Sequence, residues 1–238
     1  MSSSRIIQIF KSRQNILDIM KYNLSYDISK YENFSTNDIY AMTEYATLDM
    51  LLEKKDEHNG QIISKIWISY LNDEKPTNDK IDKIKDDLFI ESEGDDEDDN
   101  EGAGGGDEGG DTTIRKPVLN AETDTLVIIL EVEPSETILS YLKDLYNQKG
   151  IFIVPHYIKR LQFNIFKHSL VPKMRILTDA EIETMKRTYS INDVYNQLPD
   201  MSRFDPCALA LCVRPRQIVE IIRESPTAIT TPFYRIVI

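Results

Sequence analysis

The residues best placed to do chemistry are two glutamates, Glu131 and Glu133, at the end of an apolar run from Thr125 to Val132. Carboxylates one residue apart, where a strand meets a turn, are the donor set that hard divalent cations use. A nuclease of the carboxylate–carboxylate–lysine kind would need a lysine at the matching spacing, and none follows. Asp73, Glu74 and Lys75 supply the residue types, but in a polar turn ahead of Pro76. The three histidines, His58, His156 and His168, are scattered and fit neither a triad nor a metal signature, so each reads as structural or superficial. Cys207 and Cys212 are the sole cysteines; their spacing fits no zinc site and two thiols make no disulfide framework. They read as small buried hydrophobes in a reducing compartment. The turn Glu131-Val132-Glu133-Pro134-Ser135-Glu136 precedes a helix, but it lacks glycine and carries three carboxylates, which excludes a phosphate cradle. No catalytic residue, metal site or cofactor is expected.

The elements that hold these residues are legible from periodicity. Ile6, Ile9, Phe10, Ile16, Leu17 and Met20 form one helical face, with Ser2 to Ser4 as possible caps. A second helix opens at Ser35 with Asp38 three residues on, and carries Ile39, Met42, Ala46 and Met50 on one side. Ile62, Ile66, Ile68 and Tyr70 line one side of a strand and Trp67 the other. Ile81, Ile84 and Leu88 suggest a short helix. The run TLVIILEV, apolar on both faces, predicts a central strand. Pro134 and Ser135 open a helix with Ile138, Leu139, Leu142 and Leu145 inward and Gly150 as its left-handed cap. Ile151 to Val154 then form a strand, and the crossover predicts parallel, right-handed pairing. A second unit begins near Phe166. Thr178 and Glu181 make a capping box, Cys207 to Leu211 are helical, and Ile218–Arg223 and Phe233–Ile238 share a sheet across a loop at 224–232. The expected class is therefore α/β (α+β), with an α/β domain at 1–165 and a small mixed-sheet domain at 166–238.

Charge narrows the function classes. The 238 residues carry a formal net charge of −12, but eleven acids lie between Glu91 and Asp111 without a lysine or arginine. Outside that tract stand 29 acids and 28 basic residues, so the body is close to neutral. Seven of the nine glycines share the tract, which is therefore expected to be a mobile insertion at 91–111. It could serve as an acidic chaperone or histone-binding tail. No stretch resembles a signal peptide or reaches the ~20 apolar residues of a membrane helix, so the chain reads as soluble and intracellular.

Four stretches in order carry a resemblance. His168-Ser169-Leu170-Val171-Pro172, then Leu177-Thr178-Asp179-Ala180-Glu181, then Leu198-Pro199 with Asp205-Pro206 and Ala208, are followed by a longer match. That match is Ile218 to Ala228 (IVEIIRESPTA), closing on Tyr234-Arg235-Ile236-Val237. Together they resemble the fifth-numbered subunit shared by eukaryotic nuclear RNA polymerases, a family with shorter archaeal members that lack the jaw domain. Upstream, Ser4-Arg5 and the strand–Pro134–Ser135 turn are similar to that jaw, so the chain resembles the longer, eukaryotic-type form. The resemblance implies a non-catalytic assembly subunit acting in transcription. Its C-terminal domain would dock on the largest subunit through His168, Val171, Pro172, Asp205, Pro206, Arg223, Ser225, Thr227, Ala228, Tyr234 and Arg235. Pro134 and Ser135 would approach downstream duplex DNA only within the complex, and no membrane is involved. The family has glycine where this chain has Cys212, Arg216 and Ile229, so rebuilt turns are expected there. Glu133 and Glu136 at the jaw turn would weaken an approach to phosphate. Ile-, Asp-, Asn- and Lys-rich usage suggests a divergent, virus-encoded member, placed in host cytoplasm or virion; a cellular one would be nuclear.

Overall fold

The computed structural model describes residues 3–56, 59–71, 76–89 and 118–238. The acidic insertion at 91–111, His58, Ser2 and the Asp73-Glu74-Lys75 turn lie outside the described residues. The fold is α/β, with two mixed four-stranded sheets.

Helix α1 (Ser3–Leu24) places Ile9, Ile16, Leu17 and Met20 inward, as the period requires. Helix α2 (Thr36–Glu44) begins with a complete Ser35–Asp38 capping box. It ends earlier than its apolar spacing suggests. Ala46 takes a left-handed φ of 53°, and Met50 instead opens strand β1 (Met50–Lys55). Alternation from Met50 to Leu52 fits a strand as well as a helix face, so pairing with β2 (Ile62–Leu71) decides it. Helix α3 (Asn78–Leu88) and strand β3 (Thr125–Leu130) follow, then α4 (Glu136–Lys149) and β4 (Ile153–Tyr157).

The first sheet runs β1-β2-β3-β4, with β1/β2 antiparallel and the other pairs parallel. Every residue of β3 is buried because both faces are covered. One face packs Ile66, Ile68, Val127 and Ile129 against α1 and α2. The other packs Trp67, Leu126, Ile128 and Leu130 against α3 and α4. Ser135 caps α4, and Gly150 ends it at φ 71°.

The second sheet uses β5 (Lys173–Ile176), β6 (Asp200–Met201), β7 (Ile218–Ser225) and β8 (Ile229–Val237), in the order β5-β7-β8-β6. Helix α5 (Asp179–Tyr189) covers one face through Met185, against Leu177, Ile218 and Ile236. Its Glu181 carboxylate is held well below the usual range, to about 2, first by the Thr178 backbone N–H and then by Arg175. Short helices α6 (Val194–Gln197) and α7 (Pro206–Ala210) complete the unit. The loop expected at 224–232 is mostly strand: β7 and β8 pair from Ile218↔Ile236 to Ser225↔Ile229, leaving three residues for the turn.

At the three positions where the resembled family has glycine, Cys212, Arg216 and Ile229 take left-handed φ angles of 49°, 74° and 57°. The surrounding pairing holds the backbone where a side chain resists it, at a cost of about 1 kcal/mol or more each. Ile229 is β-branched and 85% exposed, so its side chain contributes little packing in return. Ile229→Gly should therefore raise stability by about 1 kcal/mol, net of the entropy glycine adds to the unfolded chain. Urea denaturation would detect the rise in midpoint.

Packing crosses the expected boundary at 166. Leu209 of α7 is buried in the first core, with Phe204 and Cys212 packed against it. Burial pushes the Cys207 and Cys212 thiols up, to about 11 and 12, so both are neutral and unreactive at pH 7. Arg214 donates to the carbonyls of Ala121, Glu122 and Asp124 at 3.4, 2.7 and 2.6 Å. Beside it Arg203, 5% exposed, stacks on Tyr146, Phe152 and Phe204 at 4.9 to 5.4 Å. No helix is long and apolar enough to cross a membrane, among the described residues.

Candidate functional site

Strand register gathers part of the expected surface at one end of the second sheet. Lys173, Ile222 and Pro232 lie side by side on β5, β7 and β8. Pro172, one residue before that row, and Arg223, one residue after it, therefore share a rim. Beyond Arg223 the hairpin extends through Ser225, Thr227, Ala228 and Ile229. Ser225 and Thr227 contact each other through their hydroxyls at 3.2 Å. Arg223 stacks on Phe233 at 4.2 Å and Arg235 stacks on the same ring at 5.5 Å.

The lead-in turn is built locally. The backbone N–H of Val171 donates to the His168 carbonyl, and that of Leu170 to His168 Nδ1 at 3.2 Å. His168 therefore carries its proton on Nε2 when neutral. Leu170 is left 85% exposed, and Phe163, packed near the His168 ring, is 52% exposed. Leu170, two residues before Pro172, and Ile229, at the start of β8, are bare apolar side chains of the kind that a protein–protein contact uses. Their role depends on exposure, which a sequence motif does not show.

The remaining expected residues have work inside the unit. Asp205 caps α7 by accepting from the Cys207 N–H at 2.8 Å, and Pro206 takes the first helical position, where no donor is lost. Tyr234 donates to Glu220 at 3.3 Å, meets Tyr189 edge-on at 5.6 Å, and is pushed up to about 12, chiefly by burial. Arg235 donates to the Asp200 carbonyl at 2.9 Å, tying β8 to β6. The Tyr234 and Arg235 bonds tie β8 to β7 and β6 in the sheet that presents the rim.

At the turn after β3, Pro134 is half-buried and Ser135 is occupied as a helix cap. Glu131 pairs with Arg5 and Glu133 with Arg160. The two carboxylates are thus drawn to different arginines rather than held together as a metal pair. The same pairing removes much of the repulsion expected toward phosphate. Two of the basic side chains in Lys159–Lys167 are paired too, Arg160 with Glu133 and Lys167 with Asp18 at 2.6 Å. Among the described residues no group of three His, Cys, Asp or Glu side chains could hold a metal ion.

The second unit is a helix-backed mixed sheet whose rim leaves Leu170, Arg223 and Ile229 exposed. Residues 163–237 match the family model described as RNA polymerase Rpb5, C-terminal domain. Relatives named DNA-directed RNA polymerase subunit Rpo5 are similar over a stretch of about that length. The Pyrococcus abyssi protein is 44% identical over 77 residues, covering 32% of this chain and 92% of that one. The Thermococcus kodakarensis protein is 43% identical over the same shares. The Archaeoglobus fulgidus protein is 36% identical over 78 residues, its whole length. The chain belongs to the Rpb5 family of RNA polymerase subunits.

Proposed function

We propose that this protein is a non-catalytic assembly subunit of a multisubunit DNA-directed RNA polymerase, acting in transcription. The observation that carries the reading is the match at 163–237, which accounts for nearly all of the archaeal relatives. In this reading residues 166–238 form the assembly domain. The rim from His168 to Pro172, with Arg223 and the hairpin tip, seats on the largest subunit. The first 165 residues act as a jaw beside downstream DNA. Co-expression of the intact chain with a largest subunit from the same source tests the docking. Leu170→Asp and Arg223→Glu together should abolish co-purification while leaving the melting temperature of the free subunit within a few degrees. Retained co-purification would refute this docking surface.

The free subunit should bind duplex DNA weakly or undetectably at physiological salt. Non-specific affinity comes mostly from basic side chains that displace condensed counterions, and here Arg160 and Lys167 are paired with Glu133 and Asp18. DNA contact through Pro134 and Ser135 then depends on assembly, which supplies positive walls and high effective concentration. Titration of labelled duplex at two salt concentrations checks this; micromolar binding with a steep salt slope would count against it.

The two competing readings have less support. A metal-dependent nuclease would need Glu131 and Glu133 together, and each has its own arginine. An acidic chaperone rests on the tract at 91–111 alone. The Ile-, Asp-, Asn- and Lys-rich usage favours a divergent member from an AT-rich genome, as a virus would supply. Its place would then be host cytoplasm or virion rather than the nucleus, and imaging of the tagged chain in its native host distinguishes these.

A further inference from the structure

Strand β8 carries Thr231, followed directly by Pro232, near the tip of the β7–β8 hairpin. We propose that Thr231 is a phosphorylation site for a proline-directed protein kinase, and that Arg223 captures the phosphate it acquires. Thr230, Thr231 and Pro232 are all exposed, and their backbone is already extended. Strand β6 pairs with β8 only at Ile236 and Val237. Beside Thr231 the edge of β8 away from β7 is therefore open, which leaves room for a kinase cleft that takes extended substrates.

Register chooses among the hydroxyls of the hairpin. Thr231 pairs directly with Arg223, so their side chains stand on one face of the sheet. Arg223 leans across to β8, its guanidinium 4.2 Å from the centre of the Phe233 ring. Phe233 lies two residues on from Thr231 and so shares that face. Among the described residues Arg223 has no carboxylate partner, and the Thr231 hydroxyl makes no hydrogen bond. Thr230, on the other face, stands opposite Glu224, where a phosphate would meet a carboxylate. Ser225 also precedes a proline, but its Oγ contacts Thr227 Oγ1 at 3.2 Å and accepts from the Thr227 N–H at 3.4 Å. Thr231 alone in the hairpin joins an open hydroxyl, a following proline and an uncommitted cation across the ladder.

The step moves the γ-phosphoryl group of ATP to Thr231 Oγ1. The bond from phosphorus to the β–γ bridging oxygen breaks, a bond to Oγ1 forms, and ADP and the hydroxyl proton leave. The product carries a charge of about −1.5 to −2 near pH 7, with acceptor oxygens that the planar Arg223 fork can hold bidentately. Resting on the reading that the rim seats on the largest subunit, this capture withdraws Arg223 from that contact. Phosphorylation then releases the subunit.

The test treats the intact chain with a purified proline-directed kinase and ATP, and locates the phosphate by mass spectrometry. Thr231 should be the main site, and Thr231→Val should lose most of the incorporation. Phosphate confined to Ser225 would overturn the site, as would none at all. The phosphorus NMR resonance should titrate at a pH about 0.5 lower in the phosphorylated chain than in phosphorylated Arg223→Gln, because a neighbouring cation favours the dianion. Urea should erase the difference, since only the folded ladder brings the two residues together. Lys173→Gln, on the opposite face, should titrate like the wild type. Equal midpoints in wild type and Arg223→Gln would overturn the capture. Phosphorylation should also lower co-purification with the largest subunit at least about fivefold. Equal recovery of treated and untreated chains would overturn the release, whereas recovery of neither would overturn the docking reading instead.

Discussion

Acidification from pH 6.5 to about 4 should remove up to about 3 kcal/mol of stability, and His156 is the cause. The imidazole lies on β4, 5% exposed, where burial lowers its pKa from 6.5 to about 4 despite a backbone hydrogen bond with Leu209. In the unfolded chain it takes a proton near pH 6.5, whereas in the folded chain it stays neutral until about pH 4. The unfolded state therefore binds more protons throughout that window, so stability rises with pH across it and levels off above. Urea midpoints between pH 4.5 and 7.5 should follow this curve. In His156→Asn, whatever its absolute stability, the slope between pH 5 and 6.5 should largely vanish. An unchanged slope would assign the dependence to other groups.

The second large effect belongs to Arg214. Arg214→Met should destabilise the protein by about 3 kcal/mol, because it strands carbonyls that accept charged hydrogen bonds and loses the stacking on Phe152. Lysine at this position keeps a charge but cannot fork between three acceptors, so Arg214→Lys should lose about half as much. Arg187→Met, exposed on α5, should stay within about 0.5 kcal/mol. Denaturant unfolding of the three variants gives the comparison. If Arg214→Met behaved like Arg187→Met, the junction between the sheets would have to be held by Leu209 and its neighbours alone.

Much of the fold was readable because local signals agreed with each other. Ser35, Ser135 and Thr178 cap helices whose inner faces follow the 3.6 period, and TLVIIL has the composition of a strand covered on both sides. Reading failed where tertiary pairing overrode a local pattern. Met50 satisfies a helix face and a strand equally, and the residues from Glu224 to Pro232 look like a loop until β7 and β8 align them. The left-handed backbone at Cys212, Arg216 and Ile229 was not legible either, because these residue types normally avoid it and long-range pairing imposes it. Arg203 and Arg214 gave no signal at all. Nothing in a sequence separates an arginine buried against rings and carbonyls from one on the surface. The candidate rim was legible as a motif, but its division into exposed contact residues and internal braces such as Asp205 and Arg235 required coordinates.

The parallel pairing of β2 with β3 also governs how the chain can be made. Lys65 must find Asp124 across 59 residues, and Arg214 must find Asp124 across a further 90. During synthesis, β1 and β2 can form a hairpin early, but that hairpin has an apolar face and an open edge. It stays unpaired until β3 emerges, and the core beneath it stays incomplete until Leu209 arrives. A ribosome stalled before that point holds a sticky, unfinished sheet. The edge of β2 is thus the place where mispairing with another chain is easiest before β3 covers it.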